Sequence, residues 1–145
     1  MPRIPRRALP DGCFHVTSRG NRGALIFLED LDRLDFLDLL HSTASLLGWR
    51  AHAHCLMGTH YHLIVEAGRD RLSEGMRRLN GVYALRFNRR YGLRGHVFET
   101  RFSSWVIRDE RHLNAAVEYV LANPVRAGLC REPEEWQWSG AAYRA

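Results

Sequence analysis

The sequence predicts one domain in which amphipathic helices alternate with short strands. Three stretches carry apolar side chains at the three- or four-residue spacing of a helix with one buried face: residues 30–47, 73–91 and 109–123. Shorter β-prone runs lie before and between them, at residues 14–17, 49–57, 60–66, 95–98 and 102–107. With 145 residues, 46% hydrophobic and 26% charged, the chain is long enough to bury a substantial core in water.

The amino terminus, residues 1–10, is predicted to be a basic, proline-rich arm rather than part of the core. Arg3, Arg6 and Arg7 lie between three prolines, which keep the backbone extended. The arm lacks the apolar segment of a secretory signal, so the expected location is the cytoplasm. No run of about 18 apolar residues is available for a membrane span.

All 21 basic residues are arginine, and the formal net charge is +5. The absence of lysine excludes a Walker-type phosphate loop and any lysine Schiff-base chemistry. The arginine guanidinium makes bidentate contacts with phosphate and stacks on flat rings. A basic surface built only from arginine therefore favours nucleic acid as a partner. A compositional bias of the source genome is the alternative explanation. The three cysteines are too widely spaced to indicate a disulfide framework or a zinc clip.

The most informative stretch is the tripeptide from His60 to His62, which begins a β-prone run. Side chains of a strand alternate between faces, so the two histidines project from one face about 7 Å apart. Two imidazoles at that spacing can hold one metal ion. Two half-buried structural histidines are the simpler alternative. Glu66 is an even number of residues from both histidines, so on a strand it lies on the same face and is a further candidate ligand.

The pair Gly58-Thr59 predicts a two-residue turn that joins residues 49–57 to the His60 strand as an antiparallel hairpin. In the register that this turn favours, Cys55 faces His62, and both His52 and His54 point away from the site. A slip of one residue would instead bring His54 beside the site.

The last predicted helix, residues 109–123, ends where Pro124 disfavours helical geometry. Tyr119 lies away from the apolar stripe of this helix, on the same side as His112 and Asn123. Asn123 follows Tyr119 by one turn, so a group that touches the Tyr119 hydroxyl is also within reach of the Asn123 amide. A tyrosine at the helix edge with a solvated hydroxyl is the alternative.

Arginines interleaved with aromatic rings predict contact with single-stranded nucleic acid, because cations suit phosphates and flat rings suit unstacked bases. A solvated helix face with ordinary core aromatics is the alternative. The expected nucleic-acid-binding residues are Arg19, Arg22, Arg86, Arg89, Arg90, Arg94, Arg101 and Arg108.

Four motifs, in order, resemble the HUH single-tyrosine transposases, and most closely their REP-associated tyrosine transposase branch. They are His60-Tyr61-His62-Leu63-Ile64-Val65, Leu79-Asn80-Gly81-Val82-Tyr83-Ala84 with Phe87-Asn88-Arg89-Arg90, Gly95-His96-Val97-Phe98 with Arg101-Phe102, and Tyr119 followed by Asn123-Pro124-Val125-Arg126-Ala127-Gly128-Leu129. The resemblance runs from about residue 12 to residue 139.

The resemblance implies an α+β fold, a ferredoxin-like antiparallel sheet with helices packed on it, with residues 11–145 forming a single HUH transposase-like catalytic domain. It implies cutting and rejoining of single-stranded DNA beside hairpins through a 5′-phosphotyrosine. In these roles Tyr119 is the nucleophile, and His60, His62 and Asn123 are metal ligands. Imidazoles with an amide oxygen leave coordination positions open, consistent with Mg²⁺ or Mn²⁺. The expected partner is single-stranded or hairpin DNA, bound by a monomer or homodimer, with Tyr119 acting in cis or in trans.

This sequence reads Met57-Gly58-Thr59-His60 where the family usually has Met-Pro-Asn-His, a change that loosens the turn. A catalytically idle nucleic-acid-binding module of the same fold is therefore the alternative function. A metal hydrolase for small molecules is disfavoured, because Glu66 is the only acidic residue adjoining the histidine pair.

Overall fold

The computed structural model describes residues 12–142, so the predicted arm at residues 1–10 lies outside the described residues. Five strands and four helices follow one another in the described chain, with short 3₁₀ turns at Asn21–Gly23 and Pro133–Glu135. Their order is β1 (Gly12–Arg19), α1 (Asp30–Leu47), β2 (Arg50–Leu56), β3 (His60–Ala67), α2 (Arg69–Tyr91), β4 (Ser103–Ile107), α3 (Glu110–Leu121), α4 (Asn123–Arg126) and β5 (Ser139–Ala141).

The strands form one antiparallel sheet in the order β4-β1-β3-β2-β5. The first four strands with α1 and α2 give the β-α-β-β-α-β succession and the 4-1-3-2 order of a ferredoxin-like fold. The predicted α+β fold is thereby confirmed. Strand β3, which carries the histidine pair, lies at the centre and is hydrogen-bonded to a neighbour along each edge.

The two faces of the sheet are covered by different helices. Tyr61, Leu63 and Val65 on β3 enter the main core with residues of α1 and α2. Ile64 enters a smaller core on the opposite face, with Ala116 and Val120 of α3. Because strand side chains alternate, His60 and His62 share the α3 face with Ile64.

The buried face of α1 differs from the predicted apolar stripe. Leu31 and Leu34 are 56% and 51% exposed, whereas Asp32 is fully buried. Glu29, rather than the predicted Asp30, is the N-cap of the helix, and it forms a capping box with Asp32. In the first turns of α1, the face that packs against the core therefore contains the Asp32 carboxylate, and Leu31 and Leu34 face solvent.

Other boundaries also differ from expectation. Helix α2 begins at Arg69, four residues before the predicted start, and ends as predicted at Gly92 in a left-handed conformation. Its predicted buried stripe is confirmed by Met76, Leu79, Tyr83 and Phe87. The predicted strand at 95–98 provides only an isolated bridge from Phe98 to Gly20. Strand β5 was not predicted.

Within residues 12–142, none of the helices combines the length and the apolar character that crossing a membrane requires.

Candidate active site

Strand β3 presents His60 and His62 side by side on the α3 face. Their ring centroids are 5.1 Å apart. The predicted hairpin register is confirmed, because Cys55 pairs with His62 and His54 pairs with Leu63. His54 therefore points to the α1 side of the sheet, where it borders a separate cavity.

His52 does not follow the predicted alternation. A bulge between Ala51 and Ala53 interrupts the register of β2. The buried His52 ring consequently contacts Glu66, with 3.2 Å between Nε2 and Oε1. Glu66 lies four residues beyond His62, about 13 Å along the strand, so it belongs to this pair rather than to the histidine pair.

Helix α3 brings Tyr119 of the same chain to the histidines. The Tyr119 ring centroid lies 6.5 Å from that of His62. The side chain is 52% exposed, so solvent and a large substrate can approach the ring. The helix starts at the predicted cap, Asp109, which accepts a hydrogen bond from the His112 amide at 2.8 Å.

Arg126 holds the Tyr119 side chain from the α4 side. Its guanidinium carbon lies 4.0 Å from the centroid of the Tyr119 ring, a cation–π contact. Its Nη2 also donates to the Tyr119 carbonyl oxygen at 2.8 Å. Sequence reasoning did not assign Arg126 a role, although its position seven residues after Tyr119 in the Asn123-to-Leu129 motif was a usable signal.

A third histidine, His15 on β1, was also missed. Its Nε2 lies 3.0 Å from Nδ1 of His62. Its ring centroid lies 6.0 Å from that of Tyr119. The available signal was β1's own alternation: His15 and Thr17 share one face, and Thr17 pairs with His62.

The three histidines are neutral at neutral pH. Burial, with a smaller contribution from His112, lowers the pKa of His15 to about 4. Burial, then the neighbouring His15 and His60, lowers the pKa of His62 to about 3. Burial and Arg19 lower the pKa of His60 as well. A neutral imidazole keeps a lone pair for a cation.

The donors around this pair fit a divalent cation. Nδ1 of His62 is engaged with His15, and Nδ1 of His60 lies 3.1 Å from the Thr59 hydroxyl, which leaves Nε2 of each ring as the ligand atom. Asn123 is the first residue of α4, and its buried Nδ2 has no hydrogen-bond partner. Residues 12–142 contain no cluster of three or more His, Cys, Asp or Glu side chains suited to a metal.

An open cavity of about 550 Å³ lies between β1, β4 and α3, beside Tyr119. It is lined by His15, Thr17, Arg19, His62, Ser103, Trp105, Ile107, His112, Ala116 and Tyr119. The sequence-predicted Tyr119, His62 and Arg19 thus share one cavity. Asn123 does not line it.

The other predicted DNA-binding arginines divide into two groups. Arg86 and Arg90 instead form ion pairs with α1: Arg86 with Asp35 at 2.7 Å, and Arg90 with both Asp32 and Asp35. These pairs join α1 to α2 and neutralise the charge that was expected to meet phosphate. The remaining candidates are exposed on the surface: Arg22, Arg89, Arg94, Arg101 and Arg108.

The fold and the site define an α+β protein whose ferredoxin-like sheet presents a histidine pair to a tyrosine on a separate helix. A sequence model of the family described as "Transposase IS200 like" matches residues 13–123, which is more than half of the chain. The chain therefore belongs to the IS200-like transposases. No curated protein is similar enough in sequence to count as a relative.

Two solved structures share the fold. A REP-associated tyrosine transposase bound to a REP hairpin is 20% identical, with a TM-score of 0.77 over 96% of this chain and 82% of that one. A protein from Deinococcus radiodurans R1, described provisionally as a transposase, is 15% identical, with a TM-score of 0.56 over 84% of this chain and 97% of that one.

Proposed function

We propose that this transposase nicks and rejoins single-stranded DNA at hairpin-flanked sites, with Tyr119 as the nucleophile and a divalent metal, Mg²⁺ or Mn²⁺, held by His60, His62 and Asn123. The observation that carries the proposal is the 6.5 Å separation of the Tyr119 and His62 rings within one chain. The hairpin in the complex of the REP-associated relative supports hairpin-bearing DNA as the substrate.

The proposed step is a transesterification. The Tyr119 phenol loses its proton and its oxygen attacks the scissile phosphorus, while the bond from phosphorus to the 3′-oxygen breaks and that oxygen gains a proton. The products are a 5′-phosphotyrosine and a free 3′-hydroxyl, and a 3′-hydroxyl reverses the step during joining. Because the bond energy is retained, nucleotide hydrolysis is not required.

Each side chain has a separate task in this step. The phenol has an ordinary pKa near 10 in model peptides, so it is a weak nucleophile on its own. A bound divalent ion supplies charge stabilisation for the transferring oxygens. Arg126 orients the Tyr119 ring, and Arg19, exposed beside the cavity, is positioned to attract the DNA backbone.

The test is formation of a covalent adduct that survives denaturing electrophoresis. The substrate is a single-stranded oligonucleotide with a hairpin-forming palindrome and labelled flanks, incubated with Mn²⁺. We expect an adduct with the unaltered protein, none with Tyr119→Phe, and none after chelation. His62→Gln should lose the adduct, whereas the matched variant His54→Gln, on the opposite face of the hairpin, should retain it. An adduct with Tyr119→Phe would contradict the proposal.

A catalytically idle DNA-binding module is the second candidate. It is favoured by the lack of a cluster of three charged or imidazole ligands among residues 12–142. It predicts salt-sensitive binding of the same oligonucleotide that is unchanged by chelator and by Tyr119→Phe. Binding without any adduct, across hairpins of varied sequence, would favour this module over the enzyme.

A further inference from the structure

The cavity beside Tyr119 is not required by the transesterification itself. We infer that it receives one unstacked nucleobase of the DNA strand that carries the scissile phosphate, with Trp105 as the stacking surface. This inference rests on the proposed function. It adds a base-binding pocket, and with it a preference for the nucleotide beside the cleavage position.

Trp105 lies on β4 directly opposite His15 of β1. The two ring centroids are 5.5 Å apart with planes tilted by 44°. The indole is half-buried, so it is held by the sheet while part of its surface faces the cavity that it lines. A flat ring held in this way suits stacking of an unpaired base.

Four further lining residues suit a flat group without charge. Ile107 and Ala116 supply apolar surface, and Ser103 and Thr17 supply hydroxyl groups that both donate and accept hydrogen bonds. The volume of about 550 Å³ is within the range of roughly 300–1,000 Å³ of ligand pockets.

The position of the cavity connects it to the proposed chemistry. His62 and Tyr119 form part of its wall, and the exposed Arg19 also borders it. A base is linked to its phosphate through one sugar, so a base in the cavity brings the adjoining phosphate towards Tyr119 and Arg19. Burial of that base would therefore align the strand for attack.

Photochemical cross-linking tests the pocket without requiring cleavage. The Tyr119→Phe protein is irradiated with hairpin-bearing oligonucleotides that carry 5-iodouracil at successive single-stranded positions. We expect one position to cross-link to the peptide that contains residues 103–107, with the adduct on Trp105. Bound DNA whose cross-links all map elsewhere would overturn the inference.

A thermodynamic cycle provides a second, independent test. In the oligonucleotide, each single-stranded base is replaced in turn by an abasic site. The affinity for each oligonucleotide is measured with the unaltered chain, with Trp105→Ala and with Trp105→Phe, which keeps an aromatic ring. We expect one abasic position to weaken the Trp105 chain about ten-fold and to have no further effect on Trp105→Ala. Trp105→Phe should keep most of the affinity. If the loss of affinity from the abasic site and the loss from Trp105→Ala are additive at every position, the inferred base-binding pocket is overturned.

The outcomes separate this inference from the proposed function. Cross-linking at Trp105 without any Tyr119 adduct in the unaltered chain would support the pocket and contradict catalysis. An adduct without cross-linking at Trp105 would support catalysis and overturn the pocket. A phosphate that competes with the DNA while the abasic scan stays flat would show that the cavity binds an anion rather than a base.

Discussion

At the residue scale, Arg126 controls the side chain proposed as the nucleophile. Tyr119 is 52% exposed, so few packing contacts are available to fix its ring. The guanidinium of Arg126 lies over that ring and also binds the backbone of the same residue. The orientation of the Tyr119 ring therefore depends on a contact from α4 rather than on the core.

We expect Arg126→Met to slow adduct formation by about two- to five-fold, because an exposed cation–π contact is worth about 0.5–1 kcal/mol. The melting temperature should hardly change, since Arg126 is exposed. Single-turnover adduct kinetics and thermal unfolding measure the two effects. An unchanged rate would mean that the contact does not position Tyr119.

Asp32 is the residue whose charge most directly joins α1 to α2. Burial alone raises the pKa of its carboxyl group, but hydrogen bonds from Tyr91, the amides of Leu28 and Glu29, and Arg90 outweigh burial. The net pKa is held below the ordinary 3.8. A depressed pKa stabilises the fold above pH 3.8, and this stability is lost as the pH falls through the lower folded-state value.

Asp32→Asn should lower the free energy of unfolding by about 3 kcal/mol at pH 7, because it leaves the Arg90 charge without its buried partner. The difference from the unaltered chain should shrink as the pH falls below 3.8. Urea unfolding measured at a series of pH values from 7 to below 3.8 gives both effects. Asp38→Asn, at an exposed position of the same helix, is the control. An equal loss at both ends of the range would contradict the assignment.

At the element scale, α2 fixes the strand that carries the histidine pair. The buried Tyr61, between His60 and His62, donates its hydroxyl hydrogen bond to Oδ1 of Asn80 on α2. The same amide donates through Nδ2 to the Ser18 hydroxyl on β1 at 2.9 Å. One amide thus links two neighbouring strands to the helix beneath them.

Asn80→Ala should destabilise the fold by about 2 kcal/mol, because it removes the Asn80 acceptor of the buried Tyr61 hydroxyl and the Asn80 donor to Ser18. The double variant Tyr61→Phe with Asn80→Ala should lose less stability than the two single variants lose together, since both partners of one hydrogen bond are then removed. Denaturant unfolding of the single and double variants measures the coupling. Strictly additive losses would contradict a direct link between these two side chains.

Local patterns predicted the elements well where one strong rule decided the outcome. The two-residue turn at Gly58-Thr59 set the hairpin register, and the apolar period of α2 set its buried face. The predictions were wrong where tertiary contacts overrode the local pattern. Asp32 displaced Leu31 and Leu34 from the core because Arg90 and Tyr91, 58 and 59 residues away, bind its carboxylate.

The site shows the same division. His60, His62 and Tyr119 were predicted from spacing and resemblance, and the described chain brings these rings together. His15 and Arg126 were missed because their importance depends on cross-strand pairing and on the path of the chain after α3. The bulge at His52 and the three-residue strand β5 leave too short a pattern to detect.

At the scale of the whole molecule, where the net charge is +5, the arginines differ in whether an acidic residue pairs with them. Arg86 and Arg90 are paired with acidic residues of α1, whereas the exposed Arg19 borders the cavity beside Tyr119. A protein cation that neutralises a phosphate releases the counterions condensed on the nucleic acid. The number of arginines therefore overstates the number of cations that are available to a phosphate backbone.

Arg19→Gln should weaken single-stranded DNA binding and reduce the slope of log affinity against log salt concentration by about one. Arg86→Gln is the matched control: it removes the same charge from an ion-paired site, and should leave the slope almost unchanged. Fluorescence anisotropy titrations between low and moderate salt measure both slopes. Equal slopes for the two variants would contradict this division of the arginines.

The two halves of the proposed site are attached to the molecule in unequal ways. Strand β3 is bonded along both edges, whereas α3 buries only Ala116, Val120 and Leu121 and gives way to a new helix after Ala122. The tyrosine half of the site therefore depends on a few buried side chains of one helix, whereas the histidine half depends on the hydrogen bonds of two neighbouring strands.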